Sequence, residues 1–474
     1  MASVLEKTIR GAVTAGIGTV AGLSRKRLSD DSAFMRGIHT PMAEELTIAD
    51  LEITGAIPPQ LDGRYVRIGP NPHFAGGKGH HWFVGDGMVH GVKLRGGKAE
   101  WYRNRYIRSR ALEQTSGLAA APGPRRGMSD TVNTNVIGFG GQTLAMVEAG
   151  SYPAILSEEL ETVSFSDFGG GLAGSFTAHP HEDPLTGEFH AICYDAANPS
   201  RITHVALDKH GKVLRELPIP VEHGPSIHDC TITQNYVVIF DLPVTFSMKA
   251  LLAGHKFPYR WNRDHTARVG LLRRDGDASD VTWHEVDPCY VFHVANSYED
   301  EAGRVVIDCC AYETMFDGDM EGPFGRPLGL ERWTVDPTGG RVERTSIDPT
   351  PQEFPRPDER FFAQPYRYAW VVGLPDAGSE EFFAAAPLIR HDLSTGARTT
   401  RSFGENAVPG EFVFVPRNAD APEGDGWLIG YVIDRASQTT DLAILDAETM
   451  EDVARVHIPH VVPPGFHGNW IAAS

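Results

Sequence analysis

Histidine is the residue type that stands out for chemistry, with 20 in a chain of 474 residues. Four of them sit among apolar or small neighbours, in Ala178-His179-Pro180-His181, Ile227-His228-Asp229-Cys230, Val291-Phe292-His293-Val294 and Phe466-His467-Gly468-Asn469. Such company implies burial, and a buried imidazole needs a partner for each ring nitrogen. In an ordinary core a neighbouring polar group is that partner. In a ligand set it is a metal ion, because the neutral ring offers one nitrogen lone pair. Taken singly, each histidine reads as a satisfied core residue. Their separations match no local metal motif, so whether they act together depends on the fold that positions them.

Other reactive constellations are missing. There is no P-loop, no nucleophile elbow and no HExxH segment. Gly169-Gly170-Gly171 lies in a polar stretch, without the strand–helix context of a dinucleotide loop. The five cysteines (Cys193, Cys230, Cys289, Cys309 and Cys310) form no CxxC pair, and Cys309-Cys310 falls in a Val/Ile-rich run where buried, inert thiols are usual. An odd count without a pairing pattern points away from a secreted disulfide framework and toward a cytoplasmic protein. With 43 basic against 62 acidic residues and a net charge of −19, the chain carries no basic stripe of the kind a nucleic-acid partner requires.

The elements that would position the histidines are short strands. Arg64-Tyr65-Val66-Arg67-Ile68, Tyr236-Val237-Val238-Ile239-Phe240 and Arg304-Val305-Val306-Ile307-Asp308 are bounded by Gly, Pro and Asp clusters. The same turn chemistry returns between them, as Arg95-Gly96-Gly97-Lys98, Asp183-Pro184-Leu185-Thr186-Gly187, Asp208-Lys209-His210-Gly211, Asp336-Pro337-Thr338-Gly339 and Asp392-Leu393-Ser394-Thr395-Gly396. The 50 glycines and 33 prolines suit so many turns. Hairpin follows hairpin without long amphipathic helices, which excludes an alternating βαβ fold. For a strand region of this length, an all-β propeller of about six to eight blades is the economical architecture. The innermost strands of distant blades then converge on one axis, where four histidines could meet. The Pro-rich segment from Pro349 to Pro357 reads as a loop inside this single domain.

Those four segments, in this order, resemble the histidine motifs of the carotenoid cleavage oxygenase family, bacterial type. Gly69-Pro70-Asn71-Pro72, the stretch from His81 to His90 and Leu144-Ala145-Met146-Val147-Glu148 are similar to further motifs of that family. The resemblance runs from about residue 45 to the end of the sequence. It implies a seven-bladed β-propeller with a helical and loop cap, holding one Fe(II) on His179, His228, His293 and His467. It also implies three outer glutamates, Glu148 serving His228, Glu353 serving His293 and Glu411 serving His467. A carboxylate that accepts the distal N–H fixes the tautomer and raises ligand basicity. By the same pattern the metal falls on His179 rather than His181, and His81 and His90 are structural.

The implied reaction is cleavage of a carbon–carbon double bond by O₂ as co-substrate, giving two carbonyl products from a lipophilic carotenoid or apocarotenoid. A stilbenoid-cleaving dioxygenase is the alternative within the family. It would need a tyrosine and a lysine beside the metal, and while Tyr102 is a candidate, no lysine occurs between Glu113 and Glu148. A non-catalytic propeller that binds a partner on its face, with structural histidines, is the alternative outside it. Residues 1–40 form an N-terminal extension ahead of the propeller domain of 41–474. Within it Val4, Leu5, Ile9, Val13, Ile17, Val20 and Leu23 recur at helical spacing after a capping box at Ser3-Val4-Leu5-Glu6. Such an arm either packs on the body or a neighbour, or lies on the inner face of a membrane. The segment Leu242–Leu252 is a candidate cap helix facing the same two choices. The oligomeric state is not legible.

Overall fold

The strand segments of the sequence become the second strands, counted from the axis, of three of the seven four- or five-stranded antiparallel sheets arranged around it. The computed structural model describes residues 18–473 apart from 27, 29–30, 74–77, 128, 319–321 and 376–382. The predicted helical arm therefore lies outside the described residues up to residue 17. Residues 18–25 are helical and dock on the body, where Arg25 Nε donates to the Gly254 carbonyl at 2.8 Å.

Blades 2 to 6 are each built from four strands in chain order, with one hairpin, Val244–Phe246 and Tyr259–Trp261, inserted between the second and third strands of blade 4. Their innermost strands are Asn135–Phe139, His181–Glu182, Cys230–Ile232, Tyr290–Glu299 and Gln352–Pro357. Blade 7 starts on Ala407–Pro416 and takes Glu52–Gly55 as its outer edge. Blade 1 takes its innermost strand, Gly468–Ala472, from the far end of the sequence and pairs it with Gly63–Pro70. This exchange of early and late strands closes the ring. The inner strands of blades 7 and 1 touch, as do those of blades 1 and 2.

Strand alternation builds the core between blades. Tyr65 packs with Val413, Ile429 and Leu442 of blade 7, whereas the next residue, Val66, packs with Val136 and Ala154 of blade 2. Both are fully buried, so a one-residue slip would exchange the two interfaces. All five cysteines are buried and unpaired.

One reading of the sequence is corrected. The Pro-rich segment is the innermost strand of blade 6, Gln352–Pro357, rather than a loop. Proline lacks an N–H for a ladder, and the inner edge of a blade has a free side where none is needed. The strand bulges between Glu353 and Arg356, and Phe354 adopts φ 56° there.

The cap over one end of the axis contains the hairpin of Val244–Phe246 with Tyr259–Trp261, the short helix Met248–Leu252 and the aromatic segment around Trp82 and Phe83. Ser247 caps that helix by accepting the Ala250 N–H, and only Ala250 of its five residues is buried. Among the described residues no helix is long and apolar enough to cross a membrane.

Candidate metal centre

The four sequence histidines meet on the axis, each at or near the start of an innermost strand. Their metal-capable nitrogens all lie within 4.8 Å of one another. His228 Nε2 is 3.1 Å from His293 Nε2, which is 3.1 Å from His467 Nε2. The His179 ring stands 4.7, 5.2 and 4.5 Å from the rings of His228, His293 and His467, and its buried Nε2 has no hydrogen-bond partner.

Local backbone irregularity aims these side chains. His293 sits where the strand Tyr290–Glu299 slips register twice, around Val294. Glu353 and Glu411 sit at the bulges of blades 6 and 7, the latter between Pro409 and Phe412. A bulge turns a side chain off the regular alternation, and here three of them turn one toward the axis. His467 depends on close backbone approach instead. A Cβ on Gly69 would stand 2.5 Å from the Gly465 Cα, so the Gly69-Pro70 and Gly465-Phe466-His467 segments require each other's glycine. The backbone of His467 is stitched to both neighbours, its carbonyl accepting from Ile68 N and its N–H donating to Thr134 O.

Each of the three glutamates engages one histidine. Glu148 Oε1 accepts His228 Nδ1 at 2.8 Å, Glu353 Oε2 accepts His293 Nδ1 at 2.5 Å, and Glu411 Oε1 accepts His467 Nδ1 at 3.1 Å. No carboxylate faces His179 in this way among the described residues. Burial would raise Glu411, but Arg356 and His467 outweigh it and hold the carboxyl down to about 2. Burial lowers His179 well below its usual range, reinforced by His467, His228 and His293. Burial also pulls His293 down, yet Glu353, with Asp229 and Glu411 behind it, leaves it raised.

The hydrogen bonding decides what can sit between the rings. An ionised carboxylate only accepts, so the three engaged histidines carry their protons on Nδ1 and present Nε2 lone pairs to one another. Lone pairs 3.1 Å apart repel. One extra proton on His293 can serve one of its two close contacts well, and it leaves His179 Nε2 unserved. A single cation at the centre serves all four. Two neighbouring ligands at about 2.1 Å from an octahedral ion stand about 3.0 Å apart, close to the spacing found. The residues present fit a mononuclear metal with four neutral nitrogen ligands and open positions.

Two different cavities flank this ring. The cap-side cavity, of about 200 Å³, is lined by Trp82, Phe83, Phe257, Phe292 and Phe466 and reaches His228, His293 and His467. The axial channel on the other side, of about 880 Å³, is lined by Arg64, Lys93, Asn135, Glu182, Arg356 and Asn469 and reaches His179. Chain direction explains the division. Phe292 and Phe466 precede their histidines and face the cap, whereas His181, Asn469 and Arg356 come after the functional residue of their strand and line the channel.

Two supporting groups have no signal in the sequence. Asp229 is buried and accepts His181 Nε2 at 2.8 Å, its own strand's Cys230 N–H at 2.7 Å and the Val294 N–H at 3.1 Å. One carboxylate thus ties the His181 side chain to the backbone amides that follow His228 and His293. Tyr194 donates to Glu148 Oε2 at 2.7 Å, on the oxygen that His228 leaves free. His81 and His90 lie outside the ring. His81 stacks on Phe257 in the cap, and His90 Nδ1 is 2.9 Å from the Tyr102 hydroxyl. Tyr102 is fully buried within blade 1 and does not line the cap-side cavity, so it is not the tyrosine a stilbenoid site would need.

A seven-bladed propeller with an axial four-histidine, three-glutamate centre defines a class of oxygenases. The retinal pigment epithelial membrane protein family model matches residues 39–472, and the chain belongs to that family, which includes the carotenoid cleavage oxygenases. It is 41% identical to the carotenoid cleavage oxygenase of Mycobacterium tuberculosis, over 92% of this chain and 97% of that protein. It is 30% identical to carotenoid 9,10(9',10')-cleavage dioxygenase 1 of Arabidopsis thaliana, over 92% and 89% respectively. Among solved structures, Pseudomonas brassicacearum lignostilbene dioxygenase superposes with a TM-score of 0.82 at 27% identity, covering 94% of this chain and 99% of that one. Cobalt-substituted Synechocystis apocarotenoid oxygenase superposes with a TM-score of 0.79 at 27% identity, covering 91% and 97%. The chain is an oxygen-incorporating oxidoreductase, which leaves the non-catalytic propeller without support.

Proposed function

We propose that this protein is a non-haem Fe(II) dioxygenase that cleaves one carbon–carbon double bond of a carotenoid or apocarotenoid with O₂. Two carbonyl products result. The observation that carries the reading is the convergence of three Nε2 lone pairs, each fixed by a carboxylate on Nδ1, with the orphaned Nε2 of His179. His179, His228, His293 and His467 hold the metal, and Glu148, Glu353 and Glu411 orient His228, His293 and His467. Fe(II) bound there supplies O₂ activation beside an electron-rich alkene.

The chain's own groups do the rest. Phe83, Phe292 and Phe466 offer aromatic faces to a polyene and exclude water from the cap side of the centre. The three glutamates supply negative charge to a site whose ligands are all neutral. Glu148 is held in place from both sides, by His228 and by Tyr194. The cavity sits below the usual ligand-pocket range of roughly 300–1,000 Å³, so it houses the segment around the scissile bond.

A stilbenoid substrate is the second reading, favoured by the similarity to lignostilbene dioxygenase. Product analysis by mass spectrometry under ¹⁸O₂, offering the iron-loaded protein a β-apocarotenal and a 4-hydroxystilbene together, separates the two. Labelled apocarotenoid fragments are the expected result. Labelled aromatic aldehydes alone would replace the first reading with the second.

We also propose that the cap touches a bilayer. Val20, Leu23 and Met248 are 48, 60 and 45% exposed, on two helices joined through the Arg25–Gly254 contact. Apolar groups at the cap suit the extraction of a lipophilic substrate.

A further inference from the structure

The cap-side cavity holds one charged group that the metal centre does not use. Its two lining glutamates, Glu148 and Glu353, are engaged by histidines, and Asn133 is bonded to the Phe83 and Gly85 carbonyls. Lys256 is the one lysine or arginine among the described lining residues. It is half-buried and belongs to the cap loop that begins at Gly254, against which the N-terminal helix docks.

Lys256 has no ion-pair or hydrogen-bond partner among the described residues. Burial, and then the charge of Arg25, pull its ammonium below the usual lysine range, with Asp86 opposing. A half-buried, unpaired ammonium on a residue of the cavity's rim, on the side of Arg25 and Asp86, is costly until something supplies an acceptor. A hydrocarbon chain cannot do so. An oxygen-bearing end can, and a carboxylate does so most strongly, because a hydrogen bond with both partners charged is the strongest kind available.

We propose that Lys256 reads the end of the substrate, and that the preferred substrate is a polyene ending in a carboxylate or carbonyl oxygen, an apocarotenoid acid or aldehyde rather than a hydrocarbon carotene. This rests on the polyene reading above and selects within it. The metal fixes where the alkene reacts. The lysine fixes which end of the chain stays in the cap, and with it which double bond reaches the metal.

The test measures anaerobic binding to the iron-loaded full chain, where no turnover occurs, by quenching of tryptophan fluorescence; Trp82 lines the cavity. An apocarotenoic acid, the matching apocarotenal, β-carotene and 4-hydroxystilbene are the probes. The wild type is expected to bind the acid at least about tenfold more tightly than β-carotene. Lys256→Met is expected to weaken the acid by roughly 10–100-fold while leaving β-carotene within about twofold, and Lys256→Arg to restore most of the loss. The hydrocarbon arm doubles as the control for folding. Unchanged acid affinity in Lys256→Met, or equal losses for acid and hydrocarbon, overturns the lysine assignment and leaves the polyene reading standing. Binding of the hydroxystilbene with no polyene bound overturns both.

Discussion

The two cavities that meet at the histidine ring differ in almost every physical respect. On the cap side about 200 Å³ is enclosed by stacked and edge-on aromatic rings, with Phe83 5.5 Å from Phe466 and Trp82 4.5 Å from Phe466. On the axial side about 880 Å³ is lined by arginines, lysines, amides and glutamates. The ring between them is a few ångströms thick. One set of histidines therefore separates an apolar, dry compartment, suited to holding an alkene, from a polar, wet one. The contrast needs no mobile gate. Along the histidine-bearing segments it follows chain direction, with Phe292 and Phe466 before their histidines and His181 and Asn469 after them.

Replacing a ligand should abolish the contrast altogether. His293→Ala removes the ring that contacts both His228 and His467, and metal content is expected to fall below roughly a tenth of an equivalent with loss of turnover, read by elemental analysis and oxygen uptake. Full metal occupancy in that variant would remove the four-histidine assignment. Opening the dry side comes next. Phe292 is 5% exposed and its ring stands 5.0 Å from that of His228, so Phe292→Ala is expected to cost about 3–5 kcal/mol of folding stability in a denaturant titration. A cost near zero would mean that the aromatic wall is not a packed part of the core.

Weakening the ring without breaking it should have an intermediate effect. Glu411→Gln keeps an acceptor for His467 but removes the charge facing Arg356, and is expected to lower metal affinity or turnover by about 10–100-fold. Glu411 is held down to about 2 from an ordinary value of 4.5, so its stabilising share is complete above the higher figure and fades as pH falls through the lower. Folding stability measured against pH should show the difference between wild type and variant vanishing only at that low end. The smallest effect belongs to the wet side. Lys93 lies 3.6 Å from Glu100 and 3.9 Å from Glu158 at the channel wall, and Lys93→Gln should change stability by less than about 0.5 kcal/mol. A collapse of turnover in that variant would mean that the axial channel takes part in the reaction.

The fold was largely legible because hairpins announce themselves locally. The run Arg64–Ile68 lies within Gly63–Pro70, Tyr236–Phe240 within Tyr236–Asp241, and the glycine-bearing turns fall between paired strands. The Pro349–Pro357 segment was not, because proline signals a loop unless the strand is known to lie on an inner edge. At the centre, the histidines and glutamates were legible through motif resemblance, since each carries its own neighbours with it. Asp229 and Lys256 were not. Their meaning comes from partners on other blades or from the cavity they enter, and nothing within a few residues of either encodes that. Tyr102 shows the converse, a plausible residue whose hydroxyl is taken up by His90.

The exchange of strands in blade 1 bears on how the protein is made. His467 immediately precedes the strand Gly468–Ala472, which pairs with Gly63–Pro70 across almost the whole length of the chain. During synthesis the first three histidines emerge well before the fourth, so the ring stays open until His467 and the strand after it have left the ribosome. Pairing so remote in sequence closes slowly, because the loop entropy must be met before the contact stabilises anything. A metal ion that binds the closed ring more tightly than the open one shifts that equilibrium by mass action. With such an ion, metal supply would set the yield of native protein as well as its activity, and pulse-chase labelling in metal-starved cells should show faster loss of newly made chains.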